Sequence, residues 1–111
     1  MNMPKHDFGI MDIAPTLEQE YNKYEPEKFH CISVGDENIE ALLKELSVIP
    51  CYWHSLKRRE RGLVYYGITL IPPRSLKEFV SAIDGKLQLN ELKDLLQKAD
   101  RENKFVIHFG I

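Results

Sequence analysis

A chain of 111 residues with 43% hydrophobic and 29% charged side chains has the size and balance of one globular domain, which excludes a disordered, collagen-like or coiled-coil chain. No apolar run approaches the roughly 18 residues of a membrane span, so no membrane partner is expected, and the opening Met1-Asn2-Met3-Pro4-Lys5-His6-Asp7 lacks the apolar core of a secretory signal. A net charge of −2 with a pI near 6.1 sets up no global field for nucleic acid or anionic lipid, and two cysteines, Cys31 and Cys51, fit free thiols in a reducing cytoplasm better than a disulfide scaffold.

Residues 1–27 differ from the rest. They hold Pro4, Pro15 and Pro26, and the acids Asp7, Asp12, Glu18, Glu20, Glu25 and Glu27 face only Lys5 and Lys23. No helical or alternating period is sustained, yet Phe8, Ile10, Met11, Ile13, Leu17, Tyr21 and Tyr24 are more apolar side chains than a disordered tail carries. This stretch is expected to be an extended N-terminal arm packed on a single α+β domain of residues 28–111.

From Lys28 the periods become legible. Phe29 to Val34 reads as a buried strand, and Gly35-Asp36 ends it, with Asp36 a good helix N-cap. Ile39, Leu42, Leu43 and Leu46 follow the spacing of a helix with one buried face, which Pro50 stops. Cys51 to Leu56 and Leu63 to Ile71 read as strands joined by the hairpin loop Lys57-Arg58-Arg59-Glu60-Arg61-Gly62. Pro72-Pro73 ends the second of them. Ser75-Leu76-Lys77-Glu78 matches a capping box, Leu76, Phe79, Val80 and Ile83 give a helical face, and Gly85 suits a left-handed stop. Asn90 can cap a further helix carrying Leu92, Leu95, Leu96 and Ala99, and Phe105 to Phe109 is a final strand on which the domain is expected to end without a tail. The resulting order, βαββα(α)β, is the split pattern of ferredoxin-like antiparallel sheets with helices on one face, in which the first and third strands are central.

Alternation divides the strand side chains between two faces. Val64, Tyr66, Ile68 and Leu70, with Phe105, Ile107 and Phe109, are expected to meet the helices. Ile32 and Val34 join them, leaving Phe29, Cys31, Tyr65, Thr69 and His108 on an open face. Such a surface is too apolar to stay wet. Three covers compete for it: the arm through Phe8, Ile10, Met11 and Ile13, a second copy pairing its sheet into a homodimer, and a ligand or partner.

Chemistry-bearing patterns are sparse. Cys51 and His54 have ligand-like spacing, but His30 and Cys31 are adjacent on a strand and point to opposite faces, so no structural zinc site and no other metal is expected. A Cys31–His108 nucleophile pair lacks a feature that would lower the thiol pKa, and no catalytic residue is assigned. No glycine loop cradles a phosphate, and no cofactor is expected. Lys57, Arg58, Arg59 and Arg61, flanked by Trp53, Tyr65 and Tyr66, are the densest charge feature. Laid on the aromatic third-strand motif of RNA-recognition domains they retain only Tyr65, so a solvated hairpin tip is favoured and nucleic acid disfavoured. The expectation is a small cytoplasmic protein-interaction module, of the immunity or antitoxin kind, whose partner is another protein. The alternatives are a ligand-binding or enzymatic domain on the open face, and weak nucleic-acid binding through the basic hairpin 57–61.

Overall fold

The computed structural model describes residues 4–111, so the first three residues of the expected arm lie outside it. The fold is α+β. Six strands form one antiparallel sheet: β1 (Lys5–Ile10), β2 (Ile32–Gly35), β3 (Pro50–Trp53), β4 (Arg59–Arg61), β5 (Ile68–Ile71) and β6 (Val106–Phe109), in the order β2-β1-β6-β5-β3-β4. Four helices, α1 (Asp36–Glu40), α2 (Leu43–Leu46), α3 (Leu76–Ile83) and α4 (Asn90–Arg101), complete it.

The expected arm contributes a strand to the interior of the sheet. β1 pairs with β2 on one side and β6 on the other, with Phe8 opposite both Ile32 and His108. Its alternation is concealed in the sequence because its buried side chains include His6 and Asp7, whose hydrogen-bonding partners come from distant segments. With β1 beside β6, β2 is left at the edge, so the expected ferredoxin-like arrangement with that strand central is not the one observed.

Other boundaries shift for local reasons. Phe29 belongs to a 3-10 turn, Pro26–Phe29, that ends on His30 in the left-handed region, and the strand begins only at Ile32. The helix expected from Asp36 breaks at Ala41–Leu42 into α1 and α2, although Ile39, Leu42 and Leu46 keep one buried face. Gly35, not Asp36, is the N-cap residue. A 3-10 turn, Pro73–Ser75, precedes α3 and puts Ser75 in helical backbone, so its hydroxyl caps nothing and instead donates to the Pro50 carbonyl at 2.6 Å. The residue before α4 is Leu89, with no side-chain cap. Gly85 does take the left-handed conformation, at φ 81°.

The sheet has a core on each face. Phe8, Val34, Cys51, Ile71 and Val106 pack under the helices with Ile39, Leu46, Leu76, Phe79, Ile83, Leu92 and Leu96. Ile68, Leu70, Ile107 and Phe109 form the opposite face, packed with Met11, Tyr21, Phe29, Cys31 and Tyr52. The expected faces of β5 and β6 are therefore exchanged. Every residue of both strands is buried, and a strand apolar on both sides carries no alternation that says which side meets the helices. Residues 11–31 lie on the second face, tied down by Met11 N–H to Phe105 O at 2.9 Å and Tyr21 N–H to His54 O at 2.7 Å. Of the arm's expected covering residues only Met11 acts there: Phe8 and Ile10 pack on the helix side, and Ile13 is 83% exposed. The apolar surface that suggested a paired-sheet homodimer is already buried within the chain. Among the described residues no helix is long and apolar enough to cross a membrane.

Candidate functional site

The five residues expected on one open face are divided by the sheet. Phe29 and Cys31 pack on the second face, whereas Thr69 and His108 point to the helix side. Strand β1 separates β2 from β6, so Cys31 and His108 do not meet. Burial, then the nearby Asp7 and Glu27 carboxylates, push the Cys31 thiol up to about 12, and burial does the same to Cys51. In the free chain both are therefore held as protonated thiols. His54, the other half of the expected zinc spacing, donates its Nδ1–H to the Tyr21 carbonyl at 2.8 Å and so anchors the covering segment.

On the helix side, Thr69 and His108 belong to a chain of buried polar groups that includes two residues not assigned from sequence, His6 and Asp36. His6 Nδ1 lies 2.9 Å from His108 Nε2, His6 Nε2 lies 2.9 Å from Asp36 Oδ1, and His108 Nδ1 lies 3.2 Å from Thr69 Oγ1. Tyr65 donates its hydroxyl to the same Asp36 oxygen at 2.6 Å, and the Val64 N–H donates to Thr69 Oγ1 at 2.9 Å. The proton positions follow from the ends inward. The Asp36 carboxylate accepts, so His6 Nε2 carries hydrogen. With His6 neutral, its Nδ1 accepts from His108 Nε2–H, and His108 Nδ1 then accepts from Thr69. Every link is satisfied with His108 neutral. The two rings lie edge to edge, their planes 17° apart and centroids 5.1 Å apart.

The electrostatics agree. His108 is completely buried, and burial, then the neighbouring His6, hold its pKa well below the ordinary 6.5. The Tyr65 hydroxyl, then His6, hold the Asp36 carboxyl below its usual value, and the same bond raises Tyr65 to about 12. A second buried carboxylate, Asp7, is answered on the other face by the hydroxyls of Tyr24 and Ser33, each at 2.6 Å. Among the described residues no buried side-chain nitrogen or oxygen lacks a partner. These polar groups tie strands to one another and hold the start of α1 on the sheet.

The basic stretch is built differently. Its last residues are not a loop but the edge strand β4, paired to β3 in the register Pro50↔Arg61 and Tyr52↔Arg59. Lys57 is 3.3 Å from Glu18, and Arg58 pairs with Glu60 at 3.2 Å while lying 5.3 Å over the Trp53 ring. Arg59 and Arg61 line a recess of about 540 Å³ together with Pro50, Cys51, Glu60 and Arg74. Arg74 donates to the Tyr52 hydroxyl at 2.8 Å and lies over that ring. Arg59, Arg61 and Arg74 are exposed, and none forms an ion pair among the described residues. Arg74 was not singled out from sequence. The available signal was the antiparallel pairing of the Cys51 and Leu63–Ile71 strands, which carries the residues after Pro72 toward Pro50. Comparison with protein-family models, curated proteins and solved structures found no match to this chain.

Proposed function

We propose that the chain is a small protein-interaction module and that its contact surface is the recess at the β3–β4 edge. The observation that carries this reading is the convergence of Arg59, Arg61 and Arg74 from two parts of the chain on one recess whose lining carboxylate, Glu60, is paired with Arg58, on a protein whose net charge is −2. Like charges gathered on an overall acidic chain repel unless a counter-charge is supplied, and guanidinium groups bind carboxylates with two parallel hydrogen bonds. Arg74 is held against Tyr52, so part of the ordering cost of binding is already met in the free protein. An acidic protein partner fits this surface, in the manner of small immunity or antitoxin domains that mask another protein's site. The two thiols lie on opposite faces of the sheet and cannot bond to each other, which supports the expectation of a reducing cytoplasm.

The test is native mass spectrometry of the protein purified, after nuclease treatment, from the cell that makes it, alongside the triple variant R59E/R61E/R74E. The wild type is expected to carry a second protein and the variant to run as the bare chain. A partner retained by the variant, or one removed by nuclease, overturns the reading.

A further inference from the structure

We infer that the partner is bound by strand addition: an extended acidic segment of another protein pairs with the free edge of β4. This deepens the reading above and rests on it.

The backbone geometry points to the mode. Trp53 N–H bonds Arg58 O at 3.0 Å and Gly62 N–H bonds Ile49 O at 2.8 Å, and Cys51 stands opposite Glu60 between them. In an antiparallel ladder, alternate residues turn their peptide groups to the same neighbour. Residues 58, 60 and 62 therefore face β3, and Arg59 and Arg61 direct their N–H and C=O groups to the open side. β4 is the last strand in the sheet order, so among the described residues nothing pairs with that side. The two arginines thus present, on alternate positions, a backbone donor and acceptor together with a guanidinium on the lining of one recess. An incoming strand with carboxylates at two alternate positions answers both sets at once, its backbone supplying affinity and its side chains specificity. Arg74, beside the Pro50 end of β3, extends the same recess for a further acidic group.

The charges also select the occupant. A second copy pairing through β4 would set arginines against arginines, which is how edges are protected from self-association. An RNA strand offers phosphates to the guanidinium groups but no alternating amide and carbonyl groups for the edge.

The experiment uses the full chain, 15N-labelled, with the synthetic peptide acetyl-Glu-Val-Glu-Val-Glu-Val-amide. One companion peptide is N-methylated at the residues that would face β4 and keeps every charge; an oligouridylate of eight nucleotides is the other ligand. Strand addition is expected to slow amide exchange at Arg59 and Arg61 about 10-fold or more while leaving the already paired Glu60 little changed. R59E/R61E should weaken the peptide about 10-fold or more, and the N-methylated peptide should fail to bind. If the acidic peptide binds and charge reversal weakens it, but the Arg59 and Arg61 amides stay unprotected or the N-methylated peptide binds equally well, strand addition is overturned and the arginine recess stands as the contact surface. If no peptide binds, if binding ignores R59E/R61E, or if the oligouridylate binds more tightly than the peptide, both readings fall.

Discussion

The polar chain from Thr69 to Asp36 and the arginine edge at β4 are both concentrations of hydrogen-bonding groups, and they are completed in opposite ways. Along the first, each donor meets an acceptor at 2.6–3.2 Å within the molecule. At the second, three guanidinium groups form no ion pair and one side of a strand is unpaired among the described residues. A buried polar group stabilises a fold only when fully answered, because the cost of leaving it unmet exceeds its net worth when met. An exposed group escapes that constraint and is available to something outside. The difference separates histidines and a carboxylate bonded to one another inside the fold from arginines, read from sequence as a solvated tip, that face outward.

The contrast can be broken at its strongest point by removing one link of the buried chain. His6→Ala leaves His108 Nε2 without a partner and Asp36 with Tyr65 alone, and opens space at a side chain with no exposure. It should cost about 3 kcal/mol in urea-induced unfolding. A loss below about 1 kcal/mol would mean that water or rearrangement replaces the imidazole. Acid tests the same chain more gently. His108 takes up a proton less readily folded than unfolded, so its contribution is fully present above its ordinary pKa of 6.5 and is lost as pH falls below that value toward the depressed folded one. Asp36, also depressed, contributes in the same direction at still lower pH, its share lost as its carboxylate is protonated. Stability should fall with a slope that steepens toward about 1.4 kcal/mol per pH unit roughly one unit below pH 6.5, measured as the urea midpoint at pH 7.5, 6.0 and 5.0. His108→Gln should be less stable at pH 7.5 but flatter with pH; an unchanged slope would assign the effect to another group. The smallest effect belongs to the edge. R59E/R61E/R74E should shift unfolding by no more than about 0.5 kcal/mol, because no ion pair and no core packing is lost. A larger loss would place the three arginines with the structural groups.

How much of this was legible in the sequence depended on whether periodicity or pairing carried the information. Leu76, Phe79 and Ile83 of α3, and Leu92, Leu96 and Ala99 of α4, announce themselves by spacing and are buried as that spacing requires. β1 does not, because His6 and Asp7 are buried polar residues whose partners, His108 and Ser33, lie 102 and 26 residues away. β5 and β6 were found as strands but turned over, since Thr69 and His108 sit among side chains apolar on both faces. The mistaken open face followed from that inversion, and with it the grouping of Cys31 with His108. The basic stretch was located, yet its division into a self-paired Arg58 and the free Arg59 and Arg61 depends on the β3–β4 register, which composition does not encode.

The place of β1 has a consequence for how the molecule is made. β1 leaves the ribosome first, but its neighbour β6 lies at the other end of the described chain, with His6 and His108 separated by 102 positions. Until β6 has been synthesised, β1 has only β2 as a lateral partner, and His6 and Phe8 have nowhere to bury their second side. The inner ladder closes by joining residues from opposite ends of the chain, the kind of long-range closure that slows folding. A nascent chain therefore carries β1 with one edge unpaired until the residues of β6 have been made.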